Sequence, residues 1–193
     1  MNEKELEKLR RNVLDALQAK TKCMAAINQT TGKKNKLMRT KFQVLNQKYW
    51  LLQEELEYYE STYITSDDEI EIKRYGDNLE SMYGIYLKGR GIKVGHIDYR
   101  GYHDSTITGD IGYFIDNRFN GHNYAYKALS LLSDYLCKND VSDFYISVFM
   151  DNVTSLKIIL RTVLNYGGSI IEINDNMVTF ECKTRLRNID KTK

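Results

Sequence analysis

One segment of this 193-residue chain combines residue types that can hold a phosphate group. Residues 110–125 read DIGYFIDNRFNGHNYA, an alternating apolar stretch followed by a polar loop and the start of a helical pattern. A helix that begins directly after such a loop presents unpaired backbone N–H groups, which attract phosphate together with the helix dipole. Gly121 lets the backbone approach a diphosphate closely. Because every strand–helix junction needs a loop, the segment by itself is not specific for an anion.

A row of polar side chains supplies candidates for acid–base chemistry. In the alternating stretch at residues 92–100, His96, Asp98 and Arg100 share one face, because strand side chains alternate. Asp110 begins the next alternating stretch. His96, Asp98 and Asp110 are therefore the candidates for a general base. A solvent-facing ion pair and a residue at the end of a strand are the structural alternatives.

The composition excludes several classes of protein. Hydrophobic residues make up 42% and charged residues 28%, which are globular values. No apolar run approaches the roughly 20 residues that span a bilayer, and the charged start predicts no signal peptide. Three scattered cysteines and three histidines predict neither a disulfide framework nor a metal site. We therefore expect a cytoplasmic protein without a metal cofactor or a membrane partner.

Residues 1–61 predict an antiparallel helical hairpin. Apolar residues recur at spacings of three, four and seven on both sides of a polar break, QTTGKKN, at residues 29–35. Between Lys20 and Lys48 there are eight basic residues and no acidic one, whereas acidic residues cluster near both outer ends. The tip of the hairpin, at the turn, is thus basic, and its opposite end, which we call the base of the hairpin, is acidic. We interpret the hairpin as a docking or dimerisation element, with a merely solvated tip as the alternative.

The rest of the chain alternates strand and helix patterns. Residues 67–183 predict a second domain, and residues 184–193 form a basic tail. The predicted strands cover residues 68–75, 82–88, 92–100, 110–115, 144–149, 169–173 and 177–182, and the predicted helices cover residues 124–137 and 154–165. This order gives an α+β fold with a mixed, mostly antiparallel sheet of about seven strands flanked by helices.

Two motifs in this domain resemble a known family. The letters GYFI, a loop, and then NGHNYAYKAL at residues 120–129 resemble motif A of the GCN5-related N-acetyltransferases (GNAT), in a Gly-His-x-Tyr-Ala form. The letters DNVTS at residues 151–155 resemble motif B, and VGHI at residues 94–97 is similar to the strand meander upstream. The resemblance covers about residues 69–181 and leaves out the hairpin. It implies a GNAT-like α/β/α fold.

The resemblance also implies a cosubstrate and a set of binding residues. It implies acetyl transfer from acetyl-CoA to an amine of a small molecule or a protein. The backbone of Phe114 and Ile115 would pair with the pantetheine amides, and N–H groups of the loop would hold the diphosphate. Asn152 would contact the cosubstrate arm. Ser155 would either assist Asn152 in this contact or cap the helix predicted at residues 154–165. The implied binding positions are Phe114, Ile115, Asn120, Gly121, His122, Asn123, Tyr124, Ala125, Asn152 and Ser155.

This chain departs from the family pattern at several positions. Asn120 and Asn123 replace the Arg/Gln and the second Gly of motif A, and Asn123 at a Gly position is compatible with a left-handed backbone. Ile159 occupies the position where many relatives carry a tyrosine that protonates the leaving thiolate. The residues at 76–81 are too few for the helix pair that relatives insert between their first two strands. In relatives this helix pair forms one wall of the acceptor site. The hairpin or a partner subunit is the candidate replacement for this wall.

Three interpretations remain open at this stage. The first is an active N-acetyltransferase, in which Tyr113, Tyr124 and Tyr166 are either acids or packing residues. The second is a non-catalytic CoA-binding or interaction module on the same fold. The third is nucleic-acid binding through the hairpin tip and the tail, for or against which the net charge of +2 gives no argument. A homodimer through the hairpin is compatible with all three.

Overall fold

The protein consists of two compact units, Met1–Glu60 and Ser61–Lys193. The computed structural model describes residues 1–76, 82–100 and 109–183 of the chain. The short link predicted at residues 76–81 lies outside the described residues except for Gly76, and so does the basic tail at residues 184–193.

The first unit is the predicted pair of helices. Helix α1 spans Glu3–Asn28 and helix α2 spans Gly32–Glu60. Asn2 starts α1 with a reciprocal cap: its side chain accepts a hydrogen bond from the Glu5 N–H at 3.0 Å, and Glu5 accepts one from the Asn2 N–H at 2.8 Å.

Contacts at both ends of the pair show that the helices run antiparallel. Leu9 and Val13 near the start of α1 pack with Leu56 near the end of α2. At the opposite end, the Cys23 thiol donates a hydrogen bond to the Met38 carbonyl at 3.5 Å. The expected antiparallel hairpin is therefore confirmed, and its own buried core is small.

The second unit contains one mixed sheet. Among the described residues, eight strands lie in the order β1-β2-β3-β4-β5-β6-β8-β7, and every neighbouring pair is antiparallel except β5 with β6. The elements are β1 Thr62–Ser66, β2 Ile70–Arg74, β3 Met82–Leu87, β4 Lys93–Arg100, β5 Asp110–Ile115, α3 Tyr124–Lys138, β6 Asp143–Phe149, α4 Val153–Asn165, β7 Ser169–Asn174 and β8 Met177–Lys183. The predicted α+β class and its mostly antiparallel sheet are confirmed.

Strand β1 is the element that the sequence pattern did not reveal. Its five residues, TYITS, contain four hydroxyl-bearing side chains and one large aliphatic residue, so they show no apolar alternation. The strand lies at the edge of the sheet and pairs only with β2, which requires backbone hydrogen bonds but little side-chain burial. The sheet therefore has one strand more than the seven listed from the sequence.

The core lies between the sheet and two helices. Ala128, Leu129 and Leu132 of α3 and Ile159 and Val163 of α4 are buried with the inward residues of the strands. The spacing of three and four on each helix explains why these side chains form one stripe. In the described part of the chain, no helix combines the length and apolar character needed to cross a bilayer.

Candidate active site

A cavity opens where β5 and β6 diverge. These two parallel strands share a single paired position, Asp110 with Tyr145, at the start of β5. Beyond it a cavity of about 760 Å³ lies between the second half of β5 and the start of α4. Its lining residues are Tyr113, Phe114, Ile115, Asn117, Phe119, Asn120, Gly121, Asn123, Ala125, Asn152, Thr154, Ser155 and Ile158.

The loop before α3 turns sharply at one end of this cavity. Gly121 has φ 84°, and no atom lies within 4 Å of the place where a β-carbon would stand. Asn123, the residue before α3, has φ 62°, the left-handed conformation that its position was expected to allow, and its side chain caps no N–H group. Because the first turn of α3 has no cap from this residue, its N–H groups are available to an anion.

A short turn holds the preceding part of the loop. Asp116 caps a 3-10 turn at Asn117–Phe119 by accepting a hydrogen bond from the Arg118 N–H at 2.9 Å. The Arg118 guanidinium binds the same carboxylate at 2.8 Å and lowers the pKa of Asp116. Asn120 donates a hydrogen bond to the Asn117 side chain at 3.3 Å. The loop is thus ordered by its own side chains.

The N-terminus of α4 forms the opposite wall. Asn152 Oδ1 accepts a hydrogen bond from the Ser155 N–H at 3.2 Å, so Asn152 is the residue that caps this helix. Helix capping was one of the two roles left open for Ser155, but it is Asn152 that caps this helix. Both residues line the cavity.

Two of the predicted binding residues point elsewhere. The rings of His122 and Tyr124 stack on each other, with centroids 5.3 Å apart, and neither residue lines the cavity. Tyr124 instead borders a smaller depression beside Asp68 and Lys88. The other eight predicted binding residues line the main cavity, together with Asn117, Phe119, Thr154 and Ile158, which the sequence analysis had not singled out.

The three candidate bases lie on the other side of the sheet from Tyr113. Strand register places His96 directly opposite Phe114 and Asp98 opposite Gly112. Asp110, Gly112 and Phe114 are alternate residues of β5, so all three candidate bases lie on the same face of the sheet. His96 stacks on Phe114 with ring centroids 5.4 Å apart. None of the three residues lines the cavity, but Phe114, on which His96 stacks, does line it. The predicted shared face of His96 and Asp98 is confirmed.

The charge state of His96 suits a proton acceptor. Burial lowers the pKa of His96 below its ordinary value of 6.5, nearby Lys93 lowers it further, and Asp98 acts in the opposite direction. The imidazole is therefore neutral at pH 7 and keeps a free lone pair for a proton. Within the described residues there is no cluster of three or more His, Cys, Asp or Glu side chains that could hold a metal ion.

The separation of β5 from β6 beside an uncapped helix N-terminus leaves a site that can hold an anionic group. The sequence model of the Acetyltransferase (GNAT) domain family matches residues 37–162, which is more than half of the chain. The protein belongs to the GNAT family and is an acetyltransferase. The match confirms the resemblance to this family.

Two solved structures are similar to this chain at low sequence identity, and the first of them has the same fold. A GNAT-family acetyltransferase from Bacillus anthracis is 12% identical, with a TM-score of 0.52 over 64% of this chain and 99% of that chain. The ribosomal-protein-S5-alanine acetyltransferase from Vibrio fischeri is 18% identical, with a TM-score of 0.43 over 55% of this chain and 63% of that chain. No curated protein matches the sequence.

Proposed function

We propose that this protein transfers the acetyl group of acetyl-CoA to an amine of a small molecule or a protein. The observation that carries the proposal is the cavity between the second half of β5 and the start of α4, which ends at the uncapped N-terminus of α3. When bound, acetyl-CoA supplies the activated thioester. The open space at Gly121 and the free N–H groups of α3 fit a diphosphate, and Phe114, Ile115 and Ile158 offer apolar contacts to a flexible arm.

The backbone of β5 and the side chains on one face of the sheet have different roles in this reaction. The backbone of Phe114 and Ile115, at the open side of β5, orients the donor. On one face, His96, Asp98 or Asp110 removes a proton from the attacking amine, since only a neutral amine is nucleophilic. Among them, His96 is the best supported, because its pKa is lowered and its ring contacts a residue of the cavity wall.

The direct test is binding followed by turnover. Calorimetry with acetyl-CoA measures affinity, and release of free thiol is then followed with two sets of acceptors, small diamines and peptides with a free α-amino group. Micromolar binding with thiol release supports the proposal. Binding without turnover for any acceptor would favour the non-catalytic CoA-binding module, and no binding at millimolar concentration would overturn both.

A pH profile tests the role of His96. The base must be neutral, so kcat/KM falls as the pH drops through the pKa of His96, which lies below 6.5. We expect His96→Gln to reduce kcat/KM by about 100-fold or more. Asp98→Asn should move the acid limb to lower pH, because Asp98 raises this pKa, whereas Lys93→Gln should move it to higher pH. An acid limb that none of the three variants changes would assign the base to Asp110.

We propose in addition that the hairpin pairs with the hairpin of a second copy. Leu37, Val44 and Leu51 recur every seven residues on α2 and are 71%, 63% and 58% exposed. Such a stripe is suited to a partner helix. An antiparallel arrangement of two hairpins would place the basic tip of one, between Lys20 and Lys48, against the acidic base of the other.

Sedimentation of the full-length protein tests this pairing. We expect a dimer whose dissociation constant rises at least tenfold in Val44→Glu, because a charge replaces an apolar contact. Leu164→Glu is the matched control: Leu164 is 83% exposed on α4, outside the hairpin, so this variant should remain a dimer. A wild-type protein that stays monomeric at 100-fold dilution and at high concentration alike contradicts the proposal.

A further inference from the structure

The Tyr113 hydroxyl is a buried polar group without an explanation in the fold. Tyr113 lies in the middle of β5, on the face that also carries Ile111 and Ile115. Its hydroxyl oxygen is shielded from solvent and makes no hydrogen bond within the described part of the chain. Buried polar atoms are nearly always paired, so an unpaired one calls for a ligand or a function.

Tyr113 also lines the cavity. Tyr113 is the one lining residue whose side chain can ionise; the others are apolar residues, Gly, Asn, Ser and Thr. Ser155 faces it from the first turn of α4, but the two hydroxyls do not meet hydrogen-bonding geometry. Ile159, one turn further along α4, is 1% exposed and belongs to the core. The described helix thus offers no ionisable donor to this cavity.

We propose that the Tyr113 hydroxyl donates a hydrogen bond to the sulfur of the acetyl donor as the carbon–sulfur bond breaks. The inference rests on the proposed function. Negative charge develops on the sulfur in this step, and a hydrogen bond to it is stronger in the transition state than in the ground state. The sulfur then takes its proton from solvent, the amine loses one to the base, and the products are the acetylated amine and the free thiol.

The protonation behaviour of Tyr113 separates a hydrogen-bond donor from a general acid. Burial raises the pKa of Tyr113 above its ordinary value of 10.0, and Ser155 only partly opposes this effect. A phenol of raised pKa retains its proton beside a thiolate, because thiols are ordinarily more acidic, with pKa values near 8.5. The hydroxyl therefore stabilises the charge without giving up its proton.

Binding of two donor analogues tests the proposal without any turnover. Calorimetry compares CoA with desulfo-CoA at pH 9, where a large share of the free thiol is ionised. Wild-type protein should bind CoA about tenfold more tightly than desulfo-CoA. The Tyr113→Phe variant should lose this preference, while its affinity for desulfo-CoA stays unchanged. Tyr126→Phe is the control, because the Tyr126 hydroxyl bonds Asn165 on the helix surface at 2.7 Å and should keep the preference.

Two further measurements complete the test. Tyr113→Phe should lower kcat by about 10- to 100-fold, the range that a hydrogen bond to a charged group supplies, and should leave the alkaline limb of the pH profile in place. In the free protein it should melt no lower than wild type, since no internal hydrogen bond is lost.

The outcomes are distinguishable. If the wild type binds both analogues equally and Tyr113→Phe behaves the same, the inference fails while the proposed function stands. If the variant removes the alkaline limb, Tyr113 is a general acid and the hydrogen-bond role is wrong. If the wild type binds neither analogue, the proposed function fails and the inference fails with it.

Discussion

Gly121→Glu is expected to weaken acetyl-CoA binding by at least 100-fold. Gly121 has φ 84°, a conformation that strains any L side chain by about 1–2 kcal/mol. The new carboxylate would stand in the open space beside the N–H groups of α3 and repel the diphosphate there. Calorimetric titration of both proteins with acetyl-CoA measures the effect.

The chain offers a closely matched control for this variant. Gly76 has φ 80° and equally open surroundings, but it does not line the cavity. Gly76→Glu therefore imposes the same strain and charge away from the site, and it should lower the melting temperature by a similar amount without changing affinity. Equal loss of affinity in both variants would trace the effect to folding and would remove the loop from the binding site.

Tyr166→Ala is expected to lower the free energy of unfolding by about 3–5 kcal/mol, the range for removing a large aromatic side chain from a core. Tyr166 ends α4 and is 1% exposed. Its ring packs edge-on against Phe144, with centroids 5.9 Å apart. Its hydroxyl donates to Asp134 Oδ1 at 2.6 Å and to the Ser130 carbonyl at 3.0 Å. These contacts assign Tyr166 to packing and tie α4 to α3.

Urea unfolding of matched variants separates the two contributions. Tyr166→Phe keeps the ring and removes the hydroxyl, so we expect a loss of about 1–3 kcal/mol from the hydrogen bonds of this hydroxyl. Tyr63→Ala, at a position that is 57% exposed in β1, should cost far less than Tyr166→Ala. A Tyr166→Ala protein as stable as Tyr63→Ala would contradict the packing described for α4.

The elements of the fold followed from the sequence wherever apolar residues repeat with a clear period. The strand at Asp110–Ile115 and the helix beginning at Tyr124 start where the pattern places them. Strand β1 carries no such period, because an edge strand is held by its backbone and can have polar side chains. Among the described strands, the one missed from the sequence is therefore one whose side chains contribute little to the core.

The candidate site was less predictable than the fold. Motif letters identified the loop around Gly121, but they gave no direction for His122 and Tyr124, whose rings stack on each other instead of facing the cavity. Phe119, from the loop after β5, and Ile158, from α4, line the cavity beside the point where β5 and β6 stop pairing. A divergence of strands is a tertiary property, so no local spacing could reveal these residues.

The order of strands in the sheet has a consequence for how the second unit folds. From β1 to β5, neighbours in the sheet are also neighbours along the chain, so these pairings close short loops. The parallel pairing of β5 with β6 must first close a loop that contains all of α3. The chain contains no proline, so no prolyl isomerisation delays either process. We therefore expect the cavity beside β5 to form later during refolding than the pairings of β1 to β5, and recovery of ligand binding should trail recovery of the secondary structure of these strands.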